Sequence, residues 1–169
     1  MSDEKKDVLI AVYMFEDLAR KDFEAVVDRV LRAAMRGPSL DAVERSPAAT
    51  DARAELRAIV GELYDRISEA RRLLRLIERT ALDWPELADR FYNRGRRPFV
   101  QRLGRYIARR IDSGDFRSVP HPEVAARFVL ESASWFANHR LGDHDGKEID
   151  DAVARETVVE LVTNSLVAP

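Results

Sequence analysis

The chain has 169 residues, 46% of them hydrophobic, so it is long enough and apolar enough to form one domain with its own core. Its formal net charge of −2 excludes a nucleic-acid binder that acts through overall positive charge, and its lack of cysteine excludes disulfides, thiolate metal sites and thiol nucleophiles. The short apolar run near the N-terminus is interrupted by Glu16 and Asp17, unlike a signal peptide or a membrane span. We therefore expect a cytoplasmic protein with no membrane partner.

Helical spacing of apolar residues predicts the first two helices. The first covers at least residues 20–36 and ends at Gly37-Pro38. After a polar loop, Thr50 is a suitable N-cap for a long second helix that continues to about Ala81. The narrow apolar stripe of this helix comprises Leu56, Ile59, Val60, Leu63, Ile67, Ala70 and Leu74.

The middle of the chain predicts a short helix followed by an amphipathic one. Asp83 is the expected N-cap of the short helix, with Pro85 in its first turn and an end near Gly95. From Pro98, apolar and arginine side chains occupy opposite faces until Ser113-Gly114 supplies a C-terminal cap.

The last third of the chain predicts two helices. One begins at residues 121–123 and breaks around residues 142–146, and the other spans about residues 148–166. The second half of the last helix is apolar around most of its circumference, so it needs more than one packing partner. A second subunit and a central position in the chain's own core are both compatible with this pattern. No alternating strand pattern occurs, so the predicted fold is all-α with about six helices.

Few patterns in the sequence indicate chemistry. There is no glycine-rich phosphate loop, nucleophile elbow or paired-histidine zinc motif. A group of metal-ligating residue types lies at one helix junction: His139, Asp143, His144, Asp145 and Glu148. Their spacing fits no metal-ligand pattern, whereas Asp and Gly are ordinary turn and capping residues, so we expect a loop with no metal and no cofactor.

Two charge patterns have both a functional and a structural interpretation. Eight arginines and no acidic residue occur between Arg90 and Ile111, which fits either a phosphate-binding surface or, as we favour, a solvated face. On the long helix, Tyr64, Arg71 and Glu78 lie seven residues apart beside the apolar stripe. Such groups either orient a small ligand in a pocket or extend to solvent at the edge of the core.

The segment DWPELADRFYNRGRRPFVQRLGRYIARRIDSGDFRSVPHPEVAARFVLESASWF, residues 83–136, resembles the regulatory domain of the TetR family of bacterial transcriptional repressors. That family has a similar run of PEL and F, a helix that ends in a G-D-F/L-R turn, and a DP…AA…F segment before its dimerisation helices. Here the turn is Gly114-Asp115-Phe116-Arg117, and HPEVAARF replaces the usual aspartate-proline start. The order and spacing of these motifs extend the resemblance over about residues 15–166.

The resemblance implies a TetR-like C-terminal regulatory domain, with no enzymatic activity, that senses a small-molecule effector and forms a homodimer. Its last two helices would pack against their copies as a four-helix bundle. Mapped onto this chain, the effector pocket would be lined by Tyr64, Ile67, Arg71, Leu74, Trp84, Phe91, Leu103 and Phe128. The dimer interface would include Trp135, Val158, Leu161, Val162 and Leu166.

The N-terminus departs from the family pattern. Family members begin with a three-helix DNA-binding unit, whereas here only VYMF at residues 12–15 is similar to the end of its signature. We interpret residues 1–19 as a remnant of that unit or an extension of the connecting helix, and residues 20–169 as the ligand-binding and dimerisation domain. DNA binding then requires a helix-turn-helix supplied upstream or by a partner.

Three functions of different classes remain open at this point. The chain is the sensing and dimerisation part of a TetR-like regulator, or a stand-alone helical protein that binds a small molecule or a partner and heterodimerises with intact regulators. The third function is an enzyme that uses the histidine and carboxylate group near His144.

Overall fold

The computed structural model describes residues 21–29, 31–32, 37–45 and 51–168. The predicted remnant at residues 1–19, including the VYMF motif, lies outside the described residues, as does the predicted N-cap Thr50. Within the described part of the chain every regular element is helical, which confirms the predicted all-α fold.

Seven α-helical segments follow one another among the described residues. Residues 21–29 and 31–32 form the described part of α1, and the later helices are α2 (Pro38–Arg45), α3 (Ala52–Thr80), α4 (Pro85–Ala88), α5 (Arg97–Asp112), α6 (Pro122–Ala137) and α7 (Asp151–Leu166). A π-helical segment (Asp89–Arg96) joins α4 to α5, and two short 3₁₀ turns, His139–Gly142 and Gly146–Glu148, connect α6 to α7.

The long helix α3 is the centre of the fold, because α2, α4, α6 and α7 all pack against it. Its stripe residues Leu56, Ile59, Val60, Leu63, Ile67 and Leu74 are all buried, and Ala70 lies partly buried against the same core. Helical periodicity therefore located the core face of α3 correctly.

Two predicted N-caps are wrong by one residue. The side chain of Asp51 caps α3 by accepting a hydrogen bond from the Ala54 amide at 2.9 Å. At α4 the cap position is Trp84, whose side chain makes no capping hydrogen bond, and the predicted Asp83 precedes it. Neighbouring residues can all fit a capping pattern, so sequence does not fix the cap to one residue.

The predicted break at Gly95 is also wrong, because the backbone stays helical from α4 through the π-helical segment into α5. A π-helical stretch accommodates extra residues without ending the helix. The predicted end of α5 is confirmed: Ser113 is its C-cap, and Gly114 has φ +82°, a conformation that glycine adopts without strain.

The last helices agree with the predictions to within a few residues. The chain turns into α6 at His121, as predicted, and α7 begins at Asp151 rather than at Glu148. Asp150 caps α7 by accepting hydrogen bonds from the amides of Ala152 and Val153. Among the described residues, no helix has both the length and the apolar character that crossing a membrane requires.

Candidate functional site

The predicted effector-pocket residues occupy three environments. Five of them are buried in the main core: Tyr64, Ile67, Leu74, Phe91 and Leu103. Arg71 and Trp84 are half-buried, whereas the side chain of Phe128 on α6 is 54% exposed. None of the eight lines any of the three cavities described below, so the effector pocket stays a prediction.

Tyr64 and Arg71 belong to a polar network that joins α3 to the start of α7. The Tyr64 hydroxyl donates to the Phe136 carbonyl at 3.3 Å and lies 3.4 Å from Oδ1 of Asp151. Arg71 donates to Oδ2 of Asp151 at 2.8 Å, and Arg140 also donates to this carboxylate. Two of the three residues that the sequence offered as ligand-orienting groups, Tyr64 and Arg71, therefore hold two helices of the protomer together.

Burial shapes the ionisation of this network. It works to raise the pKa of Asp151, but the hydrogen bonds and positive charges of Arg71 and Arg140 outweigh it and hold that pKa below its ordinary value. Burial also raises the pKa of Tyr64. Asp151 therefore stays ionised and Tyr64 neutral around pH 7.

Arg140 is the buried charged residue that sequence reasoning missed. It is 1% exposed and donates to the carbonyls of Phe136 at 2.6 Å and Ile149 at 2.7 Å, besides its bond to Asp151. Its guanidinium thereby ties the last turn of α6 to the segment just before α7. In the sequence this role is marked by an arginine in a short junction and by Asp151 eleven residues later. Arginine and aspartate at such a distance occur in many proteins, so the pattern does not predict a buried ion pair.

The histidine and carboxylate group between α6 and α7 does not converge. Asp143 and Asp145 accept hydrogen bonds from the amides of His144 and Gly146, which are turn interactions. Within the described ranges, no three side chains of histidine, cysteine or acid type lie close enough together to hold a metal ion. The arrangement gives no support to the enzymatic alternative.

The arginine-rich stretch between Arg90 and Ile111 is partly neutralised by carboxylates of the described residues. Five of its eight arginines form ion pairs, namely Arg90, Arg94, Arg96, Arg102 and Arg110. Their partners come mainly from α1, α2, α3 and α6. At the most buried pair, Nη2 of Arg110 lies 2.6 Å from Oε2 of Glu55. The stretch is therefore not a continuous phosphate-binding surface.

Helices α6 and α7 pack against each other and expose apolar side chains to solvent. On α6 the exposed fractions are 66% for Val124, 54% for Phe128 and 40% for Trp135, and on α7 they are 59% for Val153 and 65% for Leu161. On each helix these residues recur at helical spacing, so they share one side of it. We call these five residues the α6–α7 face.

The predicted interface residues divide between this face and the core. Trp135 and Leu161 lie on the α6–α7 face, whereas Val158, Val162 and Leu166 are 3%, 2% and 3% exposed within the protomer. Apolar character around the whole helix indicated two packing surfaces, but it did not tell which residue belongs to which surface.

Three cavities formed by the described residues lie away from the predicted pocket. A nearly closed void of about 10 Å³ borders Leu40, Ile59 and Phe99. An open cleft of about 480 Å³ lies between the π-helical segment, α5 and the start of α6, next to Tyr92 and Arg127. A second open cleft of about 560 Å³, which we call the α3 cleft, is lined by Arg72, Arg75, Leu76, Glu78, Arg79, Leu82, His139 and Gly142.

One family model matches most of the chain. It is described as the C-terminal domain of AefR-like transcriptional repressors, and it covers residues 54–168, from the first turn of α3 through α7. No curated protein matches the sequence at the level expected of a relative. The match agrees with the resemblance drawn from the GDFR turn and the segments around it, and it confirms that resemblance. TetR-family C-terminal domains are regulatory rather than enzymatic. The chain belongs to the AefR-like family of TetR C-terminal regulatory domains.

Proposed function

We propose that this chain is the effector-sensing and dimerisation domain of a TetR-like bacterial transcriptional regulator, and that it forms a homodimer through α6 and α7. The observation that carries the proposal is the α6–α7 face. Five large apolar side chains on two neighbouring helices are exposed in the protomer, and such patches commonly mark interfaces. A two-fold axis would bring the face against its own copy and bury those side chains.

The dimer is tested by sedimentation of the wild-type chain and of the double variant Phe128→Glu/Leu161→Glu. We expect a wild-type dimer at micromolar concentration and a monomer for the double variant, because two-fold symmetry places four new carboxylates in one interface. Leu82→Glu is the control, since Leu82 is 82% exposed and lies outside the face. A wild-type monomer, or a double variant that still dimerises, would reject this interface.

The effector is proposed to bind in the interior, among the predicted residues Tyr64, Ile67, Leu74, Phe91 and Leu103. These side chains pack together in the core, so binding must separate some of them. A thermal-shift screen against small molecules tests this, because a ligand specific for the folded chain raises its stability by mass action. If a compound stabilises the Leu103→Ala and Phe91→Ala variants as much as the wild-type chain, the effector binds elsewhere.

Contacts between α1 and the segment around α4 offer a route for the signal. Phe23 stacks on Trp84 with ring centroids 5.8 Å apart. Arg90 lies 2.6 Å from a carboxylate oxygen of Glu24 and 2.9 Å from one of Asp28. We propose that an effector shifts the π-helical segment and, through these contacts, α1. A DNA response then requires a helix-turn-helix upstream of the domain or on a partner.

A further inference from the structure

The α3 cleft is a surface site lined by three arginines of one helix. Arg72, Arg75 and Arg79 lie on one side of α3 at spacings of three and four residues. None of the three forms an ion pair with a carboxylate of the described residues. Three guanidinium groups therefore face the cleft against one lining carboxylate, that of Glu78.

One of these guanidinium groups is held in place by hydrogen bonds, and the other two are on exposed side chains. Arg75 donates from Nε to Oδ1 of Asn138 and from Nη2 to its carbonyl, both at 3.0 Å. Asn138 is 1% exposed, so it fixes the position of Arg75. Arg72 and Arg79 are exposed. A fixed donor flanked by two exposed ones suits an anion with several oxygen acceptors.

A purely structural role does not account for all three arginines. Cations near a helix C-terminus are favoured by the helix dipole, and α3 ends at Thr80. That effect decays within the last turn, so it covers Arg79 but not Arg72 or Arg75. Arg75 donates hydrogen bonds to Asn138, whereas Arg72 forms no side-chain hydrogen bond or ion pair with the part of the chain that the structure describes.

The same cleft also has an apolar part. Leu76 is 50% exposed and Leu82 is 82% exposed, and both line the cleft together with the arginines. Small-molecule sites commonly combine such apolar surface with a few charged groups that orient the ligand. At about 560 Å³ the cleft has the size of a small-molecule site.

We propose that the α3 cleft binds a small amphiphilic anion, with a phosphate group on Arg72, Arg75 and Arg79 and an apolar chain on Leu76 and Leu82. The three arginines match the oxygens and the multiple negative charge of a phosphate monoester better than the single charge of a carboxylate. The site lies outside the interior where the effector is proposed to bind, so the proposal does not depend on the effector pocket.

Isothermal titration calorimetry of the full chain with hexyl phosphate tests the site. We expect saturable binding, weakened at least about tenfold in Arg72→Gln/Arg79→Gln, because two charge-assisted contacts are lost. The matched control is Arg105→Gln/Arg109→Gln, which removes the same charge from two exposed arginines of α5. The control should bind like wild type, and equal weakening in both double variants would mean a general charge effect and overturn the proposal.

A second variant separates the phosphate from the apolar contact. Leu76→Ser should weaken the binding of hexyl phosphate and leave the binding of inorganic phosphate, which is weaker in the wild-type chain, unchanged. Failure of wild type to bind hexyl phosphate, or equal affinity for hexyl phosphate and inorganic phosphate, would overturn the proposal. A third result would also overturn the proposal: the chain binds a DNA duplex through Arg72 and Arg79 but does not bind hexyl phosphate. The cleft would then contact nucleic-acid phosphates.

Discussion

Two arginine-rich regions of the molecule differ in how the fold pairs their arginines, and in both the ion pairing is the opposite of what the sequence suggests. The stretch from Arg90 to Arg110 contains no acid in sequence, yet four of its eight arginines meet carboxylates brought from other helices. The arginines of the α3 cleft have Glu69 and Glu78 close by in sequence, and yet they form no ion pair with a carboxylate of the described residues. Runs of charge along a chain therefore do not locate a charged surface, because tertiary contacts decide which charges are compensated.

The largest effect expected from this comparison is a loss of stability when Arg110, near the end of α5, is replaced. Arg110→Ala should lower the free energy of unfolding by about 3 kcal/mol, because it leaves the partly buried carboxylate of Glu55 without its 2.6 Å partner. Arg109→Ala, at an exposed neighbouring position, should change it by less than about 0.5 kcal/mol. Urea unfolding measures both. Similar losses in the two variants would show that the pair at Arg110 has no special structural role.

The same buried region predicts a loss of stability in alkali. Burial raises the pKa of Tyr106, whose hydroxyl lies 3.4 Å from Oε2 of Glu55. The unfolded tyrosine loses its proton above about pH 10 while the folded one keeps it, so stability falls there by up to about 1.4 kcal/mol per pH unit. Tyr106→Phe should make this fall shallower in denaturant unfolding at several pH values. An unchanged slope would contradict a neutral, buried Tyr106.

A smaller change, a gain of stability rather than a loss, is expected from a substitution in the α3 cleft. Burial raises the pKa of Glu78, whose Oε1 lies 3.8 Å from Nε2 of His139. The stability that its protonated form contributes is complete below about pH 4.3 and is lost as pH rises through the raised folded-state pKa. Glu78→Gln should therefore raise stability at pH 7 by roughly 0.5 to 1 kcal/mol, and not at low pH.

Glu69→Gln is the matched control for that prediction, because Glu69 is exposed on the same helix. It should leave the unfolding free energy nearly unchanged. Glu78→Gln should also strengthen binding of hexyl phosphate about threefold, since it removes the negative charge that lines the cleft. A destabilised Glu78→Gln variant at pH 7 would mean that the charge of Glu78 is compensated after all.

Local sequence patterns predicted most of the fold and little of the site. The apolar stripe of α3 and the glycine turn after α5 depend on neighbours within a few residues, so periodicity and turn chemistry located them. The partners of Tyr64 and Arg71 lie at Phe136 and Asp151, far along the chain. No local pattern predicts which distant side chains the fold will bring together, so the pocket and interface residues could not be sorted in advance.

The central claim is that the fold pairs some arginines with carboxylates and leaves others exposed. The most direct test is to treat the native chain with phenylglyoxal and to measure the reaction rate of each arginine by mass spectrometry. Arg72 and Arg79 should react as fast as exposed Arg105 and Arg109, and Arg110 and Arg102 should react much more slowly because carboxylates hold them. If Arg110 and Arg102 react as fast as Arg72 and Arg79, the fold does not divide the arginines in this way, and the account is wrong.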